Sequence, residues 1–146
     1  SLSVAESCTG GLISKRLTDV AGSSSFFRGS IVAYSNKIKV NQLSISKELL
    51  KENGAVSEPV ARNMAQSIQN ITNSDIGIAT TGISGPSGGT NEKPVGLVYI
   101  AISYDNKVWV KEFNFFPKRS IHRDATSQAA LNMVRKVIIL KKTVMS

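Results

Sequence analysis

Apolar and polar positions follow two periods along this chain, and together they predict an α/β fold. Short apolar runs bounded by turn residues predict strands over residues 1–6, 30–34 and 76–80. Two further runs, 96–104 and 107–115, are joined by an Asp-Asn pair and predict a β-hairpin. The five predicted strands are therefore expected to form one sheet, in which three strands are separated by other elements and two are joined by a hairpin.

Helical spacing of apolar residues predicts the elements between these strands. Asn36 and Ser57 are the predicted N-caps of two helices, Gly54 ends a helix over 46–53, and the last helix starts near Ser120. The predicted core-facing residues are Leu12, Ile13, Leu17 and Val20 in the first helix, and Val60, Met64, Ile68 and Ile71 in the fourth. This order predicts a three-layer α/β/α domain with a mixed sheet, spanning residues 1–146 as a single unit.

The stretch from residue 80 to 96, TTGISGPSGGTNEKPVG, lies between two apolar runs. Glycine and proline crowd it, and a long loop of this kind between buried strands usually binds something. A weaker candidate is SCTGG, which follows the first strand and precedes a helix but matches neither GxxxxGK(S/T) nor GxGxxG. That order points free backbone N–H groups at an anion.

Charge and composition narrow the class of ligand. The net charge is +8, yet aromatic residues make up only 6% of the chain and the lysines are scattered, with short runs at 118–119 and 141–142. We therefore expect a solvated basic surface, or one suited to an anionic small ligand, rather than a nucleic-acid site. No membrane span, signal pattern or disulfide is predicted, because Glu6 interrupts the N-terminal apolar run and Cys8 is the single cysteine. The expected location is the cytoplasm.

Few residues are available for catalysis. A Ser-His-Asp triad would need His122, the single histidine, whose charged form Arg123 disfavours. No zinc-binding or cofactor-binding motif is present, so no metal or cofactor is predicted, and Cys8 lacks an evident base. A serine activated by a neutral lysine remains, because burial can lower a lysine pKa enough for it to act as a base. The candidate serines, among which the pattern alone does not choose, are Ser7, Ser23, Ser24, Ser25, Ser84 and Ser87.

Five motifs resemble the C-terminal domain of the competence/damage-inducible CinA proteins. They are AESCTGG at 5–11, AGSSSFF at 21–27, VAYSNKIK at 32–39, GAVSEPV at 54–60 and TTGISGPSGGTNEKPVGLVYIAI at 80–102. The resemblance implies a nicotinamide-nucleotide amidase, which hydrolyses nicotinamide mononucleotide to nicotinate mononucleotide and ammonia. The implied partner is thus a small nucleotide substrate.

Carried over by position, the resemblance implies Ser24 as nucleophile and Lys39 as base, with Tyr34 beside them; Ser7 is the next candidate for the nucleophile. The residues expected to contact substrate are Ser7, Thr9, Gly10, Gly11, Asn36, Thr81, Gly82, Arg119 and Arg123. Thr81 or backbone N–H groups would stabilise the oxyanion, and the phosphate would lie on the helix start at 9–11 or on Arg123.

The chain departs from the family pattern at two places. The usual GDR is replaced by Pro117-Lys118-Arg119, which makes Arg119 a less secure match than Arg123. The family's first helix is missing before residue 1, from which weaker folding or a weaker oligomer contact is expected. Two other functions stay open: a catalytically inactive nucleotide- or phosphate-binding module, and a competence-associated accessory protein. Homo-oligomer formation is also left open.

Overall fold

The computed structural model describes residues 1–140 and contains a five-stranded sheet flanked by helices. The strands are β1 (Leu2–Glu6), β2 (Phe27–Val32), β3 (Ile76–Gly82), β4 (Leu97–Tyr104) and β5 (Lys107–Asn114). The helices are α1 (Leu12–Thr18), α2 (Asn36–Leu43), α3 (Lys47–Asn53), α4 (Glu58–Thr72) and α5 (Arg119–Leu140), with a short 3₁₀ turn at Ser23–Ser25.

The sheet is mixed, as predicted, with strand order β2-β1-β3-β4-β5. β1 pairs in parallel with both β2 and β3, whereas β4 runs antiparallel to β3 and β5 antiparallel to β4. The carboxyl ends of β1, β2 and β3 therefore meet at one edge of the sheet. β4 begins at that edge and β5 ends there, so that the first turn of α5 also starts beside it. Open α/β sheets bind ligands at this kind of edge.

Alternation along the strands divides the core into two layers. Large side chains such as Ile78, Ile100 and Ile102 pack against α1 and α5, where Ile13 and Val134 also lie. The opposite face of the strands presents small residues to α2 and α4. Gly77 shows why, because a Cβ there would overlap the Ala65 carbonyl oxygen of α4. The three-layer α/β/α architecture is thus confirmed.

Several local predictions need correction. β2 begins at Phe27 and ends at Val32, earlier than the predicted 30–34. α1 stops at Thr18, and this leaves Val20 56% exposed instead of in the core. Ile71 is 54% exposed because it lies on the outer side of the last turn of α4.

The predicted N-caps also shift. Ser35, not Asn36, caps α2, since its hydroxyl accepts from the Ile38 N–H. Ser57 holds the N-cap position of α4 as predicted, but its hydroxyl donates to the Gly54 carbonyl rather than capping the helix. The lysine pair at 141–142 lies outside the described residues. Within residues 1–140, no helix has both the length and the apolar character needed to cross a membrane.

Candidate active site

A cavity of about 180 Å³ opens at the carboxyl edge of the sheet. This is smaller than the roughly 300–1,000 Å³ of typical ligand sites, so it fits a small chemical group better than a whole nucleotide. It is lined by Ser7, Cys8, Tyr34, Asn36, Lys39, Ala55, Val56, Thr81, Gly82, Ser84 and Arg119. The lining comes from the ends of β1, β2 and β3, from α2, from the loops between α3 and α4 and after β3, and from the start of α5.

Ser7 and Lys39 form the chemical centre of this cavity. Ser7 follows β1 directly, and its N–H donates to the Thr80 carbonyl at the end of β3. Lys39 lies in the first turn of α2 with only 1% of its surface exposed. Its Nζ is 3.0 Å from Ser7 Oγ, within hydrogen-bond distance. A buried amine and a nearly buried hydroxyl therefore meet at one end of the pocket.

The surroundings of Lys39 suit a neutral amine. Nζ donates to the Ala33 carbonyl at 2.9 Å and to the Tyr34 carbonyl at 3.4 Å. A neutral amine would give its two N–H groups to these carbonyls and accept the Ser7 hydroxyl proton on its lone pair, whereas an ammonium would donate to all three oxygens. Burial lowers the pKa of Lys39 below its ordinary value. Within residues 1–140 no carboxylate forms a salt bridge with it.

The structure separates Ser24 from Lys39. Ser24 is exposed in the 3₁₀ turn that precedes β2, whereas Lys39 lies in the helix that follows β2. A six-residue strand spans about 20 Å, so the two side chains lie at opposite edges of the sheet. The expected Ser24–Lys39 pair is therefore wrong, and Ser7 occupies the place beside the lysine.

Glu6, which directly precedes Ser7 and was not marked as a site residue from sequence, ties the end of β1 to the start of α1. Its side chain is fully buried. One carboxylate oxygen accepts from the Ile13 N–H, and the other accepts from the N–H and hydroxyl of Ser14. These are the free amides of the first turn of α1. The anion at this helix start thus belongs to the protein itself, which argues against the expected phosphate position at 9–11.

The SCTGG turn is held in a backbone conformation that suits glycine. Gly11, the N-cap of α1, has φ 101 and ψ −2, a region that other residues rarely adopt. Thr9 Oγ1 bonds Thr80 Oγ1 at 2.9 Å, which ties the turn to the end of β3. Arg123 donates to the Thr9 carbonyl at 2.8 Å. Thr9, Gly10, Gly11 and Arg123 therefore support the turn instead of lining the cavity.

Other predicted residues do reach the cavity. Arg119 donates to the Tyr34 hydroxyl and to the Gly85 carbonyl, both at 2.8 Å, so it bridges two sides of the opening. Asn36, Thr81 and Gly82 also line the wall. The hydroxyl of Thr81 donates to the Ala55 carbonyl at 2.8 Å. An oxyanion role for that hydroxyl would require this bond to break.

Cys8 lines the cavity beside Ser7 but is poorly suited to be a nucleophile. Burial raises the pKa of its thiol to about 12, despite smaller opposing effects from its own backbone and from Thr80. A thiol with this pKa stays protonated near neutral pH, and the thiolate is the reactive form. Cys8 therefore acts as a small buried wall residue.

Sequence reasoning did not anticipate a second polar pair at the cavity. Ser84 Oγ lies 2.8 Å from His122 Nδ1, and both residues are buried. Ala55 and Val56, which complete the far wall, were also missed. The GAVSEPV motif contained them, but the alanine and valine carry no chemistry that would mark them as site residues.

Comparison with known proteins places this geometry in a family. The model of the CinA C-terminal domain matches residues 1–138. A CinA-like protein from Koribacter versatilis is 50% identical over 138 residues, covering 94% of this chain and 33% of the relative. A CinA-like protein from Geotalea daltonii is 47% identical over 140 residues, covering 96% and 34%. The chain thus spans about a third of the length of the curated relatives it matches.

Solved structures of similar proteins have the same fold. The competence/damage inducible protein CihA from Agrobacterium tumefaciens is 40% identical with a TM-score of 0.92, over 94% of this chain and 84% of that one. The competence damage-inducible protein A (ComA) from Klebsiella pneumoniae is 30% identical with a TM-score of 0.90, over 94% and 85%. Motifs, fold and family model coincide over the same residues, and the chain belongs to the CinA C-terminal domain family.

Proposed function

We propose that this domain is an amidase that hydrolyses the carboxamide of nicotinamide mononucleotide to nicotinate mononucleotide and ammonia, with Ser7 as nucleophile and Lys39 as general base. The observation that carries the chemistry is the 3.0 Å contact between Ser7 Oγ and Lys39 Nζ inside a small cavity. The choice of substrate rests on the resemblance of the five motifs. In this proposal Ser7 replaces Ser24, which the resemblance implied as the nucleophile.

The first half of the reaction forms an acyl-enzyme. The Lys39 lone pair takes the Ser7 hydroxyl proton while Oγ attacks the carboxamide carbon, from which the pyridinium ring withdraws electrons. The resulting ammonium passes its proton to the amide nitrogen, the C–N bond breaks and ammonia leaves. Neutral Lys39 then takes a proton from water, whose oxygen attacks the ester. The Lys39 ammonium returns its proton to Ser7 Oγ as the ester C–O bond breaks, and the released acid loses its own proton to solvent and leaves as the carboxylate.

Backbone N–H groups supply the oxyanion donors in this proposal. Among the described residues, the amides of Cys8 and Thr9, which follow Ser7 directly, donate to no backbone carbonyl. The N–H after a nucleophile commonly serves this purpose in acyl transfer. One such donor typically lowers the barrier by about 2.7–4 kcal/mol.

The size of the cavity suggests how the nucleotide lies. The carboxamide enters toward Ser7, and the ribose and phosphate stay outside. Arg119 at the rim carries a positive charge, and a neighbouring, more open pocket of about 460 Å³ that shares Asn36 also holds Lys37 and Lys47. The phosphate would meet cations on either side of the opening.

Ammonia release tests the proposal. Incubation of the unaltered protein with nicotinamide mononucleotide should yield ammonia, and Ser7→Ala and Lys39→Met should each lower the rate by about a thousandfold or more. Ser24→Ala is the matched control and should keep the full rate, because its side chain is exposed at the far edge of the sheet. Melting temperatures of all variants confirm that they are folded.

Two outcomes would contradict the proposal. Full activity in Ser7→Ala with loss in Ser24→Ala would return the nucleophile to Ser24. Tight nucleotide binding by an unaltered protein that releases no ammonia would replace the amidase with an inactive binding module.

A further inference from the structure

A second pocket lies beside the reactive cavity and is open to the part of a ligand that the cavity does not hold. The reactive cavity measures about 180 Å³ and the second pocket about 460 Å³. Asn36, the first residue of α2, lines both of them. A ligand that extends from Ser7 past Asn36 therefore enters the second pocket, whose volume lies within the roughly 300–1,000 Å³ of typical ligand sites.

The side chains of the second pocket suit an anion. Lys37 and Lys47 bring two amino groups to it, one from the first turn of α2 and the other from the first residue of α3. Both side chains are exposed, and neither forms a salt bridge within residues 1–140. The remaining lining residues are Asn36, Val40, Asn41 and Leu50. No carboxylate in this lining opposes the two lysines.

Arg119 is the other cation at the opening, and protein groups already hold it. Its two terminal nitrogens donate to the Gly85 carbonyl and to the Tyr34 hydroxyl, both at 2.8 Å. A phosphate that takes these N–H groups must break the existing bonds, and their loss offsets part of the gain. Lys37 and Lys47 give up no salt bridge within residues 1–140 when they bind an anion. The phosphate is therefore favoured on the side of α2 and α3.

We propose that Lys37 and Lys47 form the phosphate subsite of this domain and are the residues that make it select a phosphorylated nucleotide over the corresponding nucleoside. This proposal rests on the proposed function, since it assumes that the carboxamide lies at Ser7. A phosphate dianion attracts both lysines, whereas a nucleoside offers the pocket a neutral hydroxyl group. Asn36, between the two pockets, faces the ribose that both ligands share.

Equilibrium binding tests the subsite independently of turnover. Calorimetry in a Ser7→Ala background gives the dissociation constants of nicotinamide mononucleotide and nicotinamide riboside, which differ only by the phosphate. Lys37→Gln and Lys47→Gln should each weaken mononucleotide binding about fivefold, the upper end for an exposed charge pair, and the double variant about twentyfold. Riboside binding should stay unchanged. Lys107→Gln is the matched control, because it removes the same charge from an exposed position that lines neither pocket.

Salt dependence separates a phosphate contact from a structural effect of the lysines. The affinity for the mononucleotide should fall as the salt concentration rises, because salt screens exposed charges. The double variant should lose most of this salt dependence, and the affinity for the riboside should not vary with salt in either protein. Melting temperatures show whether each variant is folded.

Three results would overturn the subsite. Equal losses of mononucleotide and riboside affinity in the double variant would mean that Lys37 and Lys47 shape the pocket without binding phosphate. An unchanged mononucleotide affinity would remove both lysines from the site. Arg119→Met should weaken the two ligands alike, because Arg119 lines the reactive cavity; a loss confined to the mononucleotide would place the phosphate at Arg119.

The results also separate the subsite from the amidase. Ammonia release by a protein whose lysine variants keep full affinity for the mononucleotide supports the amidase and overturns the subsite. A preference for the mononucleotide that depends on the lysines, without ammonia release, supports the subsite and overturns the amidase. Absence of mononucleotide binding overturns the subsite, and absence of ammonia release as well overturns both.

Discussion

Lys39 combines a long basic side chain with an almost wholly buried position, and this combination decides its chemistry. Water is excluded from its amine, so the charged form is penalised and the neutral form is favoured. The carbonyls of Ala33 and Tyr34, just after β2, orient the amine. A lysine on the surface of the same helix, such as the exposed Lys37, has no comparable reason to lose its proton.

The lowered pKa of Lys39 predicts a pH dependence. In the folded protein Lys39 binds fewer protons than in the unfolded chain at pH values between its lowered pKa and the ordinary 10.5. The free energy of unfolding should therefore rise with pH in that window, and kcat/KM should rise as the lysine loses its proton. A Lys39→Met variant should lose this part of the stability slope, measured by urea denaturation at a series of pH values. An identical slope in both proteins would contradict a lowered pKa.

Glu6 illustrates a buried charge that organises a turn. Glu6→Gln would place an NH₂ donor against N–H groups that need an acceptor. We expect the free energy of unfolding to fall by about 2 kcal/mol, and kcat to fall because the Ser7 turn shifts. Urea denaturation measures the first effect and ammonia release the second. Glu52→Gln, at an exposed position of α3, should change neither; equal effects from the two variants would refute the role of Glu6.

At the scale of elements, the first turns of α5 connect separate parts of the site. His122 and Arg123 lie three and four residues after Arg119, a spacing that brings each of them next to Arg119 on the helix surface. Arg119 reaches Tyr34 and Gly85, His122 reaches Ser84, and Arg123 reaches Thr9. The start of α5 therefore contacts the rim of the cavity, its wall at Ser84 and the turn that follows Ser7.

The two arginines should have different kinetic effects. Arg119 lines the cavity, so Arg119→Met should raise the KM for nicotinamide mononucleotide about tenfold with a smaller change in kcat. Arg123 contacts the Thr9 carbonyl and not the cavity, so Arg123→Met should lower kcat more than it changes KM. Steady-state ammonia release measures both. A reversed pattern would mean that Arg123 binds the substrate and that Arg119 positions the rim.

At the scale of the whole molecule, a mixed sheet and a strong positive charge are the dominant features. The parallel half, β1 to β3, brings three strand ends to the cavity, and the antiparallel hairpin returns the chain to α5. The net charge of +8 is spread over the surface and is available to attract anions in general. Two of the basic residues, Lys39 and Arg119, line the cavity.

The spread charge predicts weak, salt-sensitive DNA binding. Any association with double-stranded DNA should fall steeply with salt, because log K changes linearly with log salt for phosphate contacts. We expect no measurable affinity near physiological salt by fluorescence anisotropy, and no effect of DNA on ammonia release. Tight binding that persists at high salt would revive the accessory role in competence.

Much of the fold follows from local patterns that the sequence displays. Period-two and helical spacing predicted the five strands and five α-helices of residues 1–140, with errors of a few residues at β2 and α1, where turn geometry and tertiary contacts set the ends. Motif order and spacing also determined the family. Periodicity and motif spacing depend only on residues that are close together in the chain, so both can be read without knowing the tertiary structure.

The partner of Lys39 was decided only by the tertiary structure. Ser24 and Lys39 are near in sequence, yet the extended strand β2 between them carries them to opposite edges of the sheet. Ser7 and Lys39 are 32 residues apart and meet because β1 and β2 run in parallel and end at the same edge. Ser84 and His122 meet in the same way through β3 and α5. The sequence by itself determined which residue types could do the chemistry; the direction of the strands decided which of them touch.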